Sequence, residues 1–508
     1  MDPEATAATA HDPSALPKDA VSSKEEKQHE EFESDDGLGL SQEHRDFLLA
    51  RHHTLDLDPI PWMSDADPLN WPQRKKIVNL ILVAFHAMMA TFTAAAIQSA
   101  FTNIASDLGV SVQRASYLTS LVIAILGGGP LFWRPISQIY GRRPIFLISL
   151  SCSLICNVGC GLCHSYATMG LCRALTAFFI CPAASIGSGI VTETFFKKER
   201  ARYMGVWTIM VTLGVPVAPF IFGFVALRVG YRWIYWTLAI TNGVQLILYF
   251  FLGRETRFVP EGPRSGKEYQ SKFNELLSFG RIDPKPLRLA DFVHPLTFVL
   301  RPCVILPTAA YAMVFLWGSI MTTIEMPQLY PEQFGFNTQQ VGLQNVAVII
   351  GTILGEQVGG FSSDKWMLYP QRRGKFPEPE YRLWLSYIGY ALTICGVVVF
   401  LVQTERAGAH WNVTPLVGAA LAAAGNQIVT TTMVTYAVDC YRPDSAAIGV
   451  FITFVRQIWG FIGPFWFPEM LANIGLSRSC GIPVAMIVGV SVIPTMYLQW
   501  KGRSMRKE

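Results

Sequence analysis

The chain has 508 residues, of which 51% are hydrophobic and only 15% are charged, with a formal net charge of +4. Soluble proteins carry charge on about a quarter of their residues, so this composition favours a membrane protein. The small net charge argues against nucleic acid as a partner. The ten cysteines fall mostly within apolar stretches, which is not typical of a secreted disulfide framework.

Residues 1–66 are predicted to be a disordered, acidic cytosolic tail. The first 50 residues contain thirteen acids against four Lys or Arg, with few aromatic residues that could form a core. The tail lacks the basic start and early apolar segment of a signal peptide. Within it, residues 41–53 have an apolar side and predict a short helix.

Long apolar windows then dominate the chain. A membrane-spanning helix needs about 20 mainly apolar residues. Twelve windows qualify, at 77–100, 115–133, 144–164, 168–192, 203–227, 233–252, 302–326, 338–360, 383–404, 412–436, 446–468 and 479–500. They predict an all-α membrane protein with two six-helix halves, 67–252 and 302–500. A polar loop, 253–301, separates the halves, and 501–508 forms a C-terminal tail.

The connections between these spans differ in charge. Those on one side, with the C-terminal tail, contain twenty Lys and Arg, and those on the other side contain five. The loop 253–301 adds nine to the first side. Because cytoplasmic loops are enriched in Lys and Arg, we expect both termini and this loop to be cytosolic.

The segment GGGPLFWRPISQIYGRRP, residues 127–144, resembles the loop 2–3 signature of the major facilitator superfamily. The fifth span resembles that superfamily's antiporter signature through Gly214, Pro216, Pro219 and Gly223. From about 67 to 499 the chain resembles the fungal drug:proton antiporter group. The resemblance implies that spans 1, 4, 7 and 10 line a central cavity. Spans 2, 5, 8 and 11 would form the interface between the halves.

Polar side chains inside the predicted spans are candidates for substrate binding or coupling. A charge at the centre of a membrane helix costs about 2.5–3.5 kcal/mol, so each one needs a function or a partner. The alternatives are an ion pair for Arg456, a hydrogen-bonded buried ring for His86 and helix-to-helix bonds for the amides. The candidates are Glu325, Arg456, Arg173, His86, Asn426, Gln427, Gln457 and Trp459.

Glu325 is the predicted proton-coupling group, because it lies in span 7 away from the cytoplasmic end. Arg456 in span 11 is its expected counter-charge. Met326 and Pro327 follow Glu325 and predict a break in the helix.

A second group of polar residues is predicted to gate the cytoplasmic side. Arg142 and Arg143 are expected to meet Glu193 or the carbonyl-rich C-terminal end of a neighbouring helix, through charge-assisted hydrogen bonds. In the second half, 359–365 repeats the pattern and leads to Arg372 and Arg373. The proposed gating residues are Gln138, Arg142, Arg143, Glu193, Asp364 and Asp439.

The resemblance implies a secondary active transporter that exports a small organic compound, such as a toxin, drug or secondary metabolite, in exchange for protons. Uptake of a nutrient or polyamine and a nutrient receptor without transport remain alternatives. We expect a monomer in the lipid bilayer of the plasma membrane. No nucleophile triad, phosphate loop or metal cluster predicts an enzyme, cofactor or metal site. Asn412 begins a glycosylation sequon on the predicted outer side.

Overall fold

A computed structural model describes residues 40–260, 280–371 and 378–506, except for the side chains of residues 201, 364, 370 and 371. The chain divides after Leu57 into two compact units. In the first unit, the helix Gln42–His52 confirms the predicted short helix. Ser41 caps it by accepting a hydrogen bond from the His44 backbone N–H at 3.3 Å.

The second unit contains twelve helices that are long and apolar enough to cross a membrane, and they confirm the twelve predicted spans. They are α1 Gln73–Leu108, α2 Val112–Tyr140, α3 Arg142–Leu162, α4 Tyr166–Thr194, α5 Lys197–Val229, α6 Arg232–Leu252, α7 Pro302–Phe334, α8 Thr338–Tyr369, α9 Pro379–Ala407, α10 Thr414–Cys440, α11 Arg442–Phe465 and α12 Leu476–Met505. A shorter apolar helix, Leu289–Leu300, precedes α7. Helices are expected here because each one satisfies its own backbone hydrogen bonds in lipid.

Asp58, the first residue of the second unit, contacts a membrane helix, although it lies before the predicted boundary at residue 67. The Lys197 ammonium lies 2.8 Å from the Asp58 carboxylate, at the start of α5. The side chain of Asp67 accepts hydrogen bonds from the backbone N–H groups of Trp62 and Leu69, both at 2.9 Å. These bonds fold the segment that leads into α1.

The irregular turn of α7 lies elsewhere than the sequence predicted. The expected break after Glu325 was wrong, because regular helix continues through Pro327 to Phe334. A widened, π-helical turn instead occupies Leu316–Met321. Gly318 permits a close approach there, since a Cβ would lie 2.9 Å from Thr393 and 3.2 Å from the Ala422 carbonyl oxygen. Turns of this kind are frequent at functional sites.

We name the two sides of the helix bundle by their position. The basic face carries the α2–α3 turn with Arg142 and Arg143, and the opposite face carries the α1–α2 turn. The halves α1–α6 and α7–α12 meet mainly through α5 with α8 and α2 with α11.

The two halves are closed together at the opposite face. There Gly223 of α5 packs on the backbone of α8, so that a Cβ added to it would lie 3.1 Å from Gly342 Cα. The rings of Tyr117 in α2 and Phe465 in α11 stack with centroids 4.5 Å apart. Toward the basic face the packing loosens, because none of residues 202–213 of α5 is buried.

Candidate functional site

A central cavity with about 920 Å³ of empty space lies between the halves. Its described lining residues come from α1, α2 and α5 of the first half and from α7, α8, α10 and α11 of the second. Three of the four helices implied by the resemblance therefore line it, and α4 contributes none of these residues. That figure includes solvent space that is continuous with the cavity.

Arg456 alone carries a charge among the described residues that line the cavity. Its Nη1 donates a hydrogen bond to Tyr311 Oη at 3.0 Å. Its guanidinium lies 4.6 Å from the centre of the Phe315 ring, so cation–π attraction offsets part of the cost of burying the charge. In the described part of the chain, no carboxylate forms an ion pair with it.

Four amide side chains surround this charge: Gln98 and Gln457, from α1 and α11, and Asn426 and Gln427, from α10. Three of them are predicted site residues, and Gln98 is a further amide outside that predicted set. The assigned oxygens of Gln98, Asn426 and Gln457 are buried without a hydrogen-bond partner among the described residues. A buried acceptor without a donor costs about 1–3 kcal/mol, which a bound ligand recovers.

Glu356 of α8 lies behind this wall. The Gln427 amide nitrogen donates a hydrogen bond to its carboxylate at 3.2 Å, which joins α8 to α10. Glu356 is not among the site residues predicted from the sequence. The signal that could have selected it is the presence of an acid within an apolar span.

Glu325 is buried, with 1% of its surface exposed, and lies outside the set of described cavity residues. Gln328, one turn further along α7, donates to its carboxylate at 3.3 Å. The expected ion pair between Glu325 and Arg456 is absent from the described residues of this conformation. The coupling role of Glu325 stays a prediction.

Arg173 and His86 are buried away from the cavity residues. Arg173 of α4 donates to the carbonyl oxygens of Leu118, Thr93 and Ala94 at 3.3–3.4 Å, so it joins α4 to α1 and α2. His86 Nε2 lies 3.1 Å from Ser149 Oγ of α3. The His86 contact matches the hydrogen-bonded buried ring considered for that residue, and Arg173 serves as a link between helices.

Trp459 is partly buried against the hydrophobic core and does not belong to the described lining residues. The fifth-span signature is divided among three surroundings. Gly214 packs on the α1 backbone, where a Cβ would lie 2.7 Å from the Met88 carbonyl oxygen. Pro216 lines the cavity. Pro219 and Gly223 face α8.

At the basic face, Arg142 joins the ends of three helices. Its guanidinium donates to Ser137 Oγ at 2.6 Å and to the Glu193 carboxylate at 2.8 Å. The Thr256 hydroxyl donates to the other Glu193 oxygen at 2.9 Å. The structure thus brings Arg142 and Glu193 together as expected, within one half, and their gating role stays a prediction.

Glu255, which the sequence analysis did not select, holds the turn between α2 and α3. Its carboxylate accepts backbone N–H bonds from Arg142, Arg143 and Arg257 at 2.8–3.0 Å. Burial raises the pKa of Glu255, and these three donors act in the opposite direction. Gly141 completes the turn with a φ of 98°, and a Cβ there would collide with the Glu255 carboxylate.

Arg143 points away from Arg142. Its side chain donates to the carbonyl oxygens of Gly253 and Phe250, both at 3.0 Å. These are the unpaired carbonyls at the end of α6, as expected for a cation near a helix C-terminus.

The second half repeats the arginine, serine and acid arrangement. Arg382 of α9 donates to Ser363 Oγ at 2.5 Å and lies 3.4 Å from the Asp439 carboxylate. Arg442 lies 3.7 Å from the same carboxylate. The repeated pattern 359–365 leads to Arg372 and Arg373, which both lie outside the described residues.

Two predicted gating residues have no assigned contacts. The side chain of Asp364 lies outside the described part of the chain. Gln138 is half-buried and forms no hydrogen bond with any described residue. Because Gln138 lacks the acid that Asp364 provides, the sequence predicts a weaker gate in the first half, and this stays a prediction.

Asn412 is exposed just before α10. Its side-chain oxygen accepts a hydrogen bond from the Thr414 backbone N–H at 3.0 Å. Glycosylation at this residue stays a prediction.

Comparisons with known proteins agree with this architecture. Residues 81–464 match the sequence model of the Major Facilitator Superfamily. The chain is 27% identical over 451 residues to the efflux pump radE of Floropilus chiversii, covering 86% of this chain and 82% of radE. It is 24% identical over 442 residues to the efflux pump FUBT of Fusarium oxysporum, covering 86% and 74%.

A solved structure has the same fold. The partially occluded, inward open xylose transporter XylE from E. coli superimposes with a TM-score of 0.60 at 15% identity, covering 84% of this chain and 98% of XylE. The twelve helices, the cavity between two halves and the sequence match lead to one assignment. The chain is a multi-pass membrane transporter of the Major Facilitator Superfamily.

Proposed function

We propose that this transporter exports a small organic compound in exchange for protons. The observation that carries the proposal is the cavity between the two halves, lined by residues from seven helices. Its wall combines apolar and aromatic side chains with four amides and one arginine, as expected for a binding site of a drug-sized solute. Two relatives of the chain are named efflux pumps.

In this proposal the basic face is cytoplasmic, in the plasma membrane, since Lys and Arg concentrate there. The structure then corresponds to a state closed at the outer side. The substrate would enter from the cytoplasm, beside the loosely packed part of α5. Separation of α5 from α8 and of α2 from α11 at the opposite face would release it outside.

Proton coupling would use an acid whose protonation state depends on whether the cavity holds substrate. Glu356 is bonded to Gln427, a lining residue, whereas Glu325 is bonded to Gln328 on its own helix. We therefore place Glu356 beside Glu325 as a coupling candidate. Glu356→Gln should remove the dependence of flux on a pH gradient and leave exchange of substrate across the membrane largely intact.

The test of export is accumulation profiling of a strain that lacks the transporter, with the wild-type gene restored as the control. Export predicts that the deletion strain is more sensitive to the compound and retains more of it. Lower accumulation in the deletion strain would contradict export and support uptake. Altered signalling with unchanged flux of every compound would support a receptor.

A further inference from the structure

We propose that the central cavity selects amphipathic organic anions, with Arg456 as the residue that binds the negative group. This inference rests on the proposed function and specifies its substrate class. It would take aromatic or fused-ring acids that also carry hydroxyl or amide N–H groups.

The first observation is the electrostatic state of Arg456. A charged side chain near the middle of a membrane helix is stabilised by hydrogen bonds or by an anion. Its described contacts are the hydroxyl of Tyr311 and the ring faces of Tyr311 and Phe315, which carry no negative charge. Arg456 is half-buried and lines the cavity, so the guanidinium donors that Tyr311 does not use are open to a ligand there.

The second observation is independent of that charge. Gln98, Asn426 and Gln457 are 3%, 7% and 7% exposed, and each has a buried oxygen without a donor among the described residues. All three line the same cavity as Arg456. A ligand that meets these oxygens must bring hydrogen-bond donors in addition to its anionic group.

The third observation concerns the rest of the wall. Ile123, Leu126, Val215 and Ile320 come from three helices and provide apolar surface beside the polar groups. A small inorganic anion would leave this surface unfilled, whereas a ring system with one acidic group would bury it. The site therefore fits an amphipathic acid.

The same arrangement disfavours a polyamine as the substrate. A polycation would meet the positive charge of Arg456 inside the cavity, where screening is weak. The carboxylate of Glu356 lies behind Gln427, outside the described lining residues, and already accepts a hydrogen bond. Cations would require an exposed acid in the wall, and the described wall residues include none.

The test uses three probes built on one hydroxynaphthalene ring: a sulfonate, the neutral sulfonamide and a trimethylammonium. Their charges are fixed near neutral pH, so binding differences report charge rather than protonation. Affinity is measured on the purified full-length protein by ligand-dependent thermal stabilisation. We expect the sulfonate to bind at least about tenfold more tightly than either matched probe.

Substitutions assign the preference to Arg456. Arg456→Met should weaken sulfonate binding by about 10- to 100-fold, the range for one charge-assisted hydrogen bond, and leave sulfonamide binding unchanged. Arg456→Lys should retain part of the preference. The matched control is Thr119→Val in the same cavity, which should weaken both probes alike. If Arg456→Met does not fold, the affinities of the wild-type protein for the three probes still test the anion preference.

Trimethylammonium binding as tight as that of the sulfonate would overturn the proposal, as would no sulfonate binding or an unchanged preference in Arg456→Met. Export itself is judged separately by the accumulation profile of the deletion strain. A strain that retains cationic compounds would leave export intact and refute the anion preference. A strain with unchanged accumulation of every compound would refute export.

Discussion

The contact between Gly223 and α8 makes the closed opposite face sensitive to one methyl group. A Cβ at Gly223 would lie 2.7 Å from the Thr338 carbonyl oxygen and 3.1 Å from Gly342 Cα. Backbone atoms cannot rotate aside, so Gly223→Ala requires α5 and α8 to move apart. Overpacking costs about 1–3 kcal/mol, which corresponds to about a 5- to 150-fold shift toward the state open at this face.

The shift is measured as a distance distribution across the opposite face. Spin labels carried by unnatural amino acids at Asn103 and His410, exposed in the first and second halves, report the separation of the halves there. Wild-type protein should populate mainly the short distance that this structure describes. Gly223→Ala should move a large fraction of molecules to a longer distance and reduce the rate of transport.

Gly205→Ala is the matched control, because it lies in the same helix and its Cβ would meet nothing within 4 Å. Both variants gain the higher helix propensity of alanine, so that contribution cancels. If Gly223→Ala and Gly205→Ala gave the same distance distribution and transport rate, the close packing of α5 on α8 would not control the closed state.

Three further outcomes follow from the basic face. Glu255→Gln should lower the free energy of unfolding by about 1–3 kcal/mol, because the new amide group would direct an N–H donor at a backbone N–H. The control is Glu332→Gln, at an exposed position. Arg382→Gln should lower the melting temperature more than Arg442→Gln, since their side chains are 12% and 77% exposed, and equal shifts would contradict this. Lys76→Met should release the segment before α1 to proteolysis, because buried Lys76 donates to the Leu69 carbonyl at 2.9 Å; unchanged cleavage would argue against it.

The fold was accessible from the sequence because the bilayer imposes a length and an apolar composition on every span. All twelve windows correspond to helices of the structure. One prediction about α7 was wrong: Pro327 suggested that the helix would break after Glu325. Regular helix continues there because a proline removes one backbone donor, which membrane helices tolerate. The widened turn at Leu316–Met321 depends on packing against α9 and α10, which a local pattern cannot reveal.

The site was accessible only in part, for the same physical reason. Arg456, Asn426, Gln427 and Gln457 could be identified from the sequence, because a polar side chain inside an apolar span is costly whatever its neighbours are. The same criterion also selected Arg173, whose partners are backbone carbonyls on other helices. Partnerships such as Glu356 with Gln427 and Arg382 with Asp439 join separate helices. The spacing of residues along the chain does not indicate which side chains on separate helices will meet.

The most direct test of the account is proton-driven transport by the purified full-length protein in liposomes. Potassium and valinomycin hold the membrane potential near zero, because exchange of a proton for an anion moves net charge. An exchanger should then accumulate the hydroxynaphthalene sulfonate when the lumen is acidic, because protons leaving the vesicle drive the probe inward in either orientation of the protein. A protonophore and the Arg456→Met substitution should each abolish that accumulation. Uptake that is equal with and without the pH gradient, or no greater than in protein-free vesicles, would contradict proton-coupled export through this cavity.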